Sequence, residues 1–318
     1  MDGSTPHVGA ASPAAAGRHA HHDDPYATRD ARPTRLVPRL DPVLHGARGS
    51  AEPGPLARQQ LEALDRDGFL VLPALLPSRD VADLLAALAA LRDGATGGAK
   101  DGVIRERGTD EVRSIFAVHR REDALGRIAR DPRIAGIARQ VLGAPLYVHQ
   151  SRVNLKPGFV GRAFAWHSDF ETWHAEDGMP RMRALSASIL LGDNHAWNGP
   201  LMLVPGSHRT FVSCPEPTPA RHFERSLVEQ TVGIPSHDAV RALFDAAGRR
   251  IELATGPAGT VVLFDCNTLH ASGSNLSPCP RSNVFLVYNA LENRLRAPYA
   301  APEPRPDFLA TRDPDPIA

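Results

Sequence analysis

Residues 146–155 read LYVHQSRVNL, a stretch in which apolar and polar residues alternate and which therefore predicts a β-strand. Successive side chains of a strand point to opposite sides, so Gln150, Arg152, Asn154 and Lys156 would lie on one face. Such a polar face either meets solvent on the outside of a sheet or lines a cavity that holds a polar ligand. The stretch alone leaves these two possibilities open.

Short strand-like runs recur along the rest of the chain and indicate an antiparallel β architecture. Turn-forming residues separate them, for example Asn198, Gly199 and Pro200, and a helical pattern at residues 236–247 interrupts them. Short strands joined by such turns favour two packed antiparallel sheets, so we expect a mainly β fold with flanking helices. The runs lie at residues 69–72, 184–191, 201–204, 259–264 and 284–288.

Helical patterns precede most of these strands. Residues 56–67 place their leucines on one face. A second helix begins at Ser78, a good N-cap, and ends at Gly94, and a third extends from its cap Asp131 to Gly143. We expect these helices to buttress a sheet rather than to take part in chemistry.

The chain divides into three parts. Residues 1–55 are rich in Pro, Gly, Ala and charged residues and have almost no apolar periodicity, so we expect a largely disordered tail. Residues 56–297 predict a single domain with N-terminal helices, and residues 298–318 read as a Pro-rich C-terminal tail. The histidine cluster at residues 19–22 could bind a metal, but a solvated low-complexity tail is the favoured interpretation.

Composition excludes several classes of protein. Lys and Arg together number 36, as do Asp and Glu, so nothing predicts binding of the whole molecule to nucleic acid or to an anionic membrane. Three cysteines are too few for a disulfide framework or a zinc ribbon and indicate a reducing compartment. The sequence has no signal-peptide core and no apolar run of about eighteen residues, so we expect a soluble, cytoplasmic protein. It also lacks the HExxH and GxSxG motifs of hydrolases.

A dense run of potential metal ligands lies at residues 164–182, which read FAWHSDFETWHAEDGMPRM. His167 and Asp169 are two residues apart and so project to the same side of a strand or extended turn. His270, at the end of another apolar run, can supply a third ligand. Two histidines and one carboxylate form the facial triad of non-haem Fe(II) oxygenases, which leaves positions open for a co-substrate and oxygen.

Spacing alone does not settle the iron hypothesis. The chain has 14 histidines, so a His-x-acid triplet also arises by chance, and His174 with Glu176 forms an alternative pair. Arg281 favours the hypothesis, because the stretch after His270 is long enough to end one strand and enter the next beside the metal. A guanidinium there is suited to bind the distal carboxylate of 2-oxoglutarate, the usual co-substrate of this triad. For a single arginine, a surface ion pair is an equally ordinary role.

Beyond these motifs, the sequence resembles the ectoine hydroxylases, which are Fe(II)- and 2-oxoglutarate-dependent dioxygenases of the phytanoyl-CoA hydroxylase superfamily. The similarity runs from about residue 24 to about residue 295. Its most selective segment is HSDFETWHAEDGMP, whereas PGSH is shared by the whole superfamily. Residues 24–29 and 37–46 look like the leader of the family and could dock on the domain. The other matching segments are QSRVNLKPG (150–158), NGPLMLVPGSH (198–208) and HASGSNLSPCPRSN (270–283).

The resemblance implies roles for further residues. Asn154 and Phe164 match residues that lie near 2-oxoglutarate. Gln150 and Ser186 match residues near ectoine, and Trp173 would offer its aromatic face to the amidinium charge of that substrate. On its own, a tryptophan is more often part of a core, and a strand serine is as often satisfied by a neighbouring carbonyl.

The resemblance also implies a fold and an activity. The fold is a double-stranded β-helix, the cupin-like jelly roll. The activity is hydroxylation of ectoine to 5-hydroxyectoine with O2 and 2-oxoglutarate, releasing succinate and CO2, as part of compatible-solute biosynthesis in osmotic stress. By the same resemblance we expect a homodimer that binds neither nucleic acid nor membrane. Alternatives are hydroxylation of another small amino or imino acid, such as proline, and a non-catalytic metal-binding sensor module, which the intact triad and Arg281 disfavour.

Overall fold

The strand predicted from LYVHQSRVNL is present and extends from Leu146 to Lys156. The histidine cluster at residues 19–22 lies outside the described residues. The computed structural model describes four stretches of the chain, residues 24–46, 54–106, 108–227 and 230–317.

The described residues are mainly β, and their strands are short, as the turn signals predicted. The strands are β1 (Leu36–Pro38), β2 (Phe69–Leu72), β3 (Val103–Arg105), β4 (Val112–Phe116), β5 (Leu146–Lys156), β6 (Phe164–His167), β7 (Ala184–Leu190), β8 (Leu201–Leu203), β9 (Thr210–Val212), β10 (Glu252–Leu253), β11 (Val261–Asp265), β12 (His270–Ser272) and β13 (Arg281–Ala290).

Two antiparallel sheets face each other. The larger has seven strands in the order β2-β11-β7-β13-β5-β4-β3, and the smaller has four in the order β10-β8-β12-β6. A separate ribbon pairs β1 with β9. Apolar side chains from both sheets meet between them, among them Leu203 from β8, Phe264 from β11 and Phe285 from β13. The prediction of two packed antiparallel sheets is therefore confirmed.

The predicted helices are present, with one correction. Asp131 caps its helix as expected, since its carboxylate accepts a hydrogen bond from the Arg133 N–H at 2.9 Å. Ser78, however, is the first helical residue, and Pro77 occupies the cap position without a side-chain hydrogen bond. The helices are α1 (Arg58–Asp67), α2 (Ser78–Asp93), α3 (Ala124–Arg127), α4 (Pro132–Leu142), α5 (Asp169–Thr172), α6 (Phe223–Ser226) and α7 (His237–Ala246).

The two faces of the larger sheet differ in chemistry. On the outer face, Val153, Val284 and Ile189 share one row across β5, β13 and β7, and they join the main hydrophobic core with leucines and isoleucines of α1, α2 and α4. These helices buttress the sheet, as predicted. The opposite, inner face carries polar residues. Its rows pair Gln150 with Val287, Arg152 with Phe285, Asn154 with Asn283 and Lys156 with Arg281.

The inner face looks towards the smaller sheet, so the polar alternation of β5 lines the interior of the molecule. The sequence left open whether this polar face meets solvent or lines a cavity, and the structure supports the cavity. β13 also begins earlier than predicted, at Arg281 rather than at Val284, and thus carries Arg281 directly opposite Lys156.

Residues 24–46 lie against the domain, although they fall within the segment that the sequence analysis assigned to a largely disordered tail. Tyr26 is fully buried, and the guanidinium of Arg39 pairs with the carboxylate of Asp265 at 2.6 Å. The leader segments proposed to dock therefore do so. Their anchors are the pairing of β1 with β9 and single side chains whose partners lie far along the chain, which apolar periodicity cannot reveal.

Residues 298–317, which the sequence sets apart as a Pro-rich tail, also lie against the domain. Arg305 forms a two-pronged ion pair with the buried Asp177, with N–O distances of 2.7 and 2.6 Å. The Thr311 N–H donates to the carbonyl of His149 at 2.9 Å. This C-terminal segment thus covers one end of β5. Among the described residues, no helix is both long and apolar enough to span a bilayer.

Candidate active site

Strand pairing in the smaller sheet brings together two histidines that are far apart in the sequence. β6 and β12 are antiparallel neighbours, and His167 at the end of β6 lies directly opposite His270 at the start of β12. Asp169 is the first residue of α5, which begins as soon as the strand ends. The change from strand to helix places the Asp169 carboxylate beside the two imidazoles.

The three side chains have the geometry of a metal site. Oδ1 of Asp169 lies 3.6 Å from Nε2 of His167 and 3.9 Å from Nε2 of His270. The ligand atoms of all three residues lie within 4.8 Å of one another. They form a group of acidic and histidine side chains, within the described chain, that could hold one ion.

The second ring nitrogen of each histidine is already in use. Nδ1 of His167 lies 2.8 Å from the carbonyl of Ala165, and Nδ1 of His270 lies 2.9 Å from the carbonyl of Thr268. A carbonyl only accepts, so each Nδ1 must donate, and each Nε2 is left with a free lone pair. The backbone thus fixes the tautomer that a metal requires.

Local electrostatics keeps the ligands in the correct charge state. Burial by itself would raise the pKa of the Asp169 carboxyl, but His270, His167 and Arg152 outweigh it and hold the pKa well below its usual range. Burial and the neighbouring His167 lower the pKa of His270 to about 4. At neutral pH the site therefore presents a carboxylate and a neutral imidazole, the forms that bind a divalent cation.

The alternative ligands, His174 and Glu176, lie elsewhere. His174 is fixed between the carboxylate of Asp24, at 3.0 Å, and the carbonyl of Met179, at 2.8 Å. Glu176 pairs with the guanidinium of Arg29 at 2.5 Å. Neither side chain belongs to the group around Asp169, so the alternative pair is wrong.

A pocket beside the histidines holds Arg281, as the sequence predicted. The residue is 4% exposed, and in the described part of the chain its Nε has no hydrogen-bond partner. Burial lowers the pKa of Arg281 to about 10. A buried guanidinium with unused donors is costly unless an anion joins it, which indicates that the pocket binds one.

Three further cations line the same pocket and were not assigned to it from sequence. Lys156 is buried, its Nζ donates to Ser272 Oγ at 2.8 Å, and burial reinforced by Arg281 and Arg113 lowers the pKa of Lys156 to about 7. Arg152 is half-buried, with its guanidinium over the ring of Phe285 at 5.0 Å. The alternation of β5 contained the signal for both.

Arg113, the third of these cations, is compensated within the protein. Its guanidinium lies 3.2 Å from the carboxylate of Glu106. Arg113 was not predicted because its strand, β4, was missed. A five-residue run that contains a charged residue shows little apolar periodicity. With the charges of this pair balanced, Arg281 and Arg152 leave the pocket with an excess of positive charge, to which Lys156 adds when it is protonated.

Two predicted co-substrate residues also line this pocket. Asn154 Oδ1 accepts a hydrogen bond from Ser114 Oγ at 3.0 Å. The ring of Phe164 stands edge-on to His167, with 4.8 Å between centroids. Both therefore line the same pocket as the histidine pair and Arg281, where a chelating co-substrate would have to extend.

The predicted substrate residues lie at the other end of the inner face. Gln150 and Ser186 flank Val287 in one row of the larger sheet. The Gln150 amide donates to the carbonyl of Leu309 at 2.7 Å, and the buried Ser186 hydroxyl has no partner in the described residues. Trp173 is 2% exposed and meets the His149 ring at 5.1 Å. None of the three lines the pocket that holds Arg281.

Comparison with protein families and known proteins gives a consistent result. The model of the phytanoyl-CoA dioxygenase family (PhyH) matches residues 64–283. An ectoine dioxygenase of Halomonas elongata is 52% identical over 296 residues, which cover 92% of this chain and 87% of that protein. An ectoine dioxygenase of Bordetella parapertussis is 51% identical and covers 91% and 92%.

Solved structures of EctD from S. alaskensis share the fold at 44% sequence identity. The form with 2-oxoglutarate and 5-hydroxyectoine superposes with a TM-score of 0.81, covering 91% of this chain and 95% of that one. The form with bound Fe gives the same TM-score and covers 93% and 97%.

Proposed function

The chain belongs to the phytanoyl-CoA dioxygenase family, and from this premise we propose that it hydroxylates ectoine to 5-hydroxyectoine with Fe(II), 2-oxoglutarate and O2. One observation carries the proposal. The group His167, Asp169 and His270 lies next to a pocket that has an excess of buried positive charge. A three-ligand site leaves positions for a chelating co-substrate, and the cations match its second carboxylate.

In this scheme His167, Asp169 and His270 hold Fe(II), which supplies the activation of O2. 2-Oxoglutarate is oxidised to succinate and CO2, and one oxygen atom enters a C–H bond of the substrate. Arg281 binds the distal carboxylate of 2-oxoglutarate through two parallel N–H donors, and Lys156, which lies opposite it on β5, adds a second positive charge. Asn154 and Phe164 orient the co-substrate between that end and the histidines.

We propose that Gln150, Trp173 and Ser186 hold ectoine. Arg281 and Val287 are separated by about 20 Å of strand, so the two ends of the inner face can bind different molecules. Ectoine carries an amidinium and a carboxylate. The indole of Trp173 suits the cation, while the Ser186 hydroxyl and the Gln150 amide can hydrogen-bond the ring and its carboxylate.

We also propose the detailed architecture and the cellular setting of the protein. The two facing antiparallel sheets support a double-stranded β-helix, the jelly roll that the sequence indicated. We also propose, from the sequence-based expectations above, a cytoplasmic homodimer that acts in the response to osmotic stress. Light scattering on the purified protein tests the dimer.

The decisive experiment is aerobic incubation with Fe(II), 2-oxoglutarate and ectoine, followed by mass spectrometry and succinate analysis. The expected product is heavier than ectoine by one oxygen atom and appears in the same amount as succinate. Proline offered in place of ectoine should not react. If proline is hydroxylated and ectoine is untouched, the substrate is wrong and the reaction class stands. If iron binds and no substrate is oxidised, the sensor alternative gains support.

A further inference from the structure

The segment that begins with Asp169 is attached to the N-terminal leader, residues 24–46, through one buried arginine. Nε and Nη2 of Arg29 donate to the two carboxylate oxygens of Glu171 at 2.9 and 2.7 Å. Nη1 of the same guanidinium donates to Glu176 at 2.5 Å. The side chain of Arg29 is completely shielded from solvent.

We propose that Arg29 is a positioning residue for the metal centre, which it stabilises by fixing the helical segment that carries the Asp169 carboxylate. The inference rests on the proposed function in so far as that centre binds iron. Arg29 hydrogen-bonds none of the three ligands, so its effect must pass through the segment residues that it contacts, which are the two glutamates and Thr172.

The position of the glutamates makes this coupling direct. Glu171 lies in α5, two residues after Asp169, and Glu176 lies in the helical turn that continues α5, Trp173–Asp177. One guanidinium therefore pins both ends of the segment that starts at the metal ligand. A planar fork is suited to this task, because it can hold one carboxylate with two donors and still reach another.

Other leader residues hold the same segment. The Asp24 carboxylate contacts His174 at 3.0 Å. The ring of Tyr26 meets that of Phe170 edge-on at 5.3 Å. Thr28 also contacts the segment, since its hydroxyl donates to Glu171 Oε1 at 2.7 Å. The backbone of Arg29 itself adopts the left-handed region, with a φ of 55°, which buried contacts must stabilise.

The positive charge of Arg29 gives it a larger effect on the metal centre than the other leader residues have. Two buried carboxylates share one cation, so removal of Arg29 leaves two like charges facing each other without water. The segment can relieve that repulsion by moving, in which case Asp169 would move with it, or by protonation of one of the two glutamates. Loss of residues that orient metal ligands typically costs about 10- to 100-fold in metal affinity.

Gly233 provides a way to disturb the cluster without changing a charge. A Cβ at this position would lie 2.5 Å from Glu171 Oε2 and 2.6 Å from Arg29 Nη2. Gly233 has a φ of +74°, so an alanine there also adds backbone strain. Gly248 is the matched control, because it has a similar φ of +67° and its added Cβ would meet nothing within 4 Å.

The test is a titration of the metal-free protein with Co(II), followed by its visible absorption in the absence of ectoine, with thermal unfolding recorded in parallel. Arg29→Met should weaken Co(II) binding about 10- to 100-fold, and Arg29→Lys should restore part of the affinity. Arg32→Met is the control within the leader, since Arg32 is exposed and its ion pair is with the neighbouring Asp30. It should bind Co(II) like the wild type.

Gly233→Ala should weaken Co(II) binding more than Gly248→Ala, and this comparison decides the matter if Arg29→Met does not fold. Wild-type Co(II) affinity in Arg29→Met, with or without a lower Tm, would overturn the proposal, as would equal affinities in the two alanine variants. None of these measurements depends on turnover of ectoine. A failure of this inference can therefore be distinguished from a failure of the proposal that ectoine is the substrate.

Discussion

Replacing Arg281 with methionine should stabilise the ligand-free protein while it abolishes most of the binding of 2-oxoglutarate. Arg281 is 4% exposed, and burial lowers its pKa from the ordinary value of a guanidinium to about 10. Since one pKa unit corresponds to about 1.4 kcal/mol, the charged guanidinium costs the ligand-free fold about 3 kcal/mol. A cation whose pKa falls on folding destabilises the fold at every pH below the folded pKa, so the full cost applies at neutral pH.

Methionine keeps an unbranched side chain and removes the charge, so part of that free energy should be recovered. The two charged hydrogen bonds to 2-oxoglutarate are lost at the same time, at about 1.5 to 3 kcal/mol each, so together they correspond to an increase in Kd of at least about a hundredfold. The assay is thermal unfolding under anaerobic conditions with Fe(II), with and without 2-oxoglutarate. Arg241→Met, at an exposed position on α7, is the control.

The ligand-free Arg281→Met protein should unfold a few degrees higher than the wild type, because 1 kcal/mol shifts the Tm of a domain of this size by roughly 2 °C. The increase in Tm that 2-oxoglutarate gives the wild type should nearly vanish in the variant. The control should resemble the wild type in both respects. A lower Tm of the ligand-free variant, or an undiminished response to 2-oxoglutarate, would refute the role assigned to Arg281.

Three other predictions concern the remaining parts of the site. His167→Ala should lose Fe(II) in a metal analysis and His174→Ala should keep it, because only the first supplies a free Nε2 to the centre; the reverse result would contradict the ligand assignment. Burial lowers the pKa of Lys156 to about 7 in the native state. Between pH 7 and 10.5 the unfolded chain therefore keeps a proton on this lysine that the native state has released, so the free energy of unfolding should rise with pH in this range. In denaturant unfolding, the free energy of unfolding of the wild type should therefore increase by about 2 kcal/mol from pH 7 to 9, and that of Lys156→Met should not. Equal increases in the two proteins would exclude this role of Lys156. Trp173→Ala should raise the KM for ectoine about thirtyfold, equivalent to about 2 kcal/mol, and leave that for 2-oxoglutarate nearly unchanged; equal effects on both would show that the two ends of the cavity are not separate.

Local sequence patterns were sufficient for six of the strands, β2, β5, β7, β8, β11 and β13, and for the pairing of two of the three candidate metal ligands. The alternation in residues 146–155 predicted a polar strand face, because the direction of a side chain on a strand follows from its position alone. The capping residue Asp131 fixed the start of α4 for a similar reason. His167 and Asp169 could be paired because two residues of separation place both near one point.

The docking of the two terminal segments could not be predicted from local sequence patterns. Residues 24–46 and 298–317 are held by single side chains, such as Arg29 and Arg305, that meet partners more than a hundred residues away. An arginine in a polar, Pro-rich segment has the same composition whether it is solvated or buried in an ion pair. Only the fold supplies the carboxylates that distinguish the two cases.

The sequence by itself determined the mainly β class, the polar face of β5 and the types of residue available for a metal and a carboxylate ligand. The tertiary structure decided that His270 meets the other two ligands, since the antiparallel register of β6 and β12 sets it opposite His167. It also decided that Arg281, Lys156 and Arg152 share one buried pocket with too few acids to neutralise them. The physical reason is that periodicity and spacing report interactions along a few residues of chain, whereas burial and electrostatic excess arise only when strands distant in sequence are packed together.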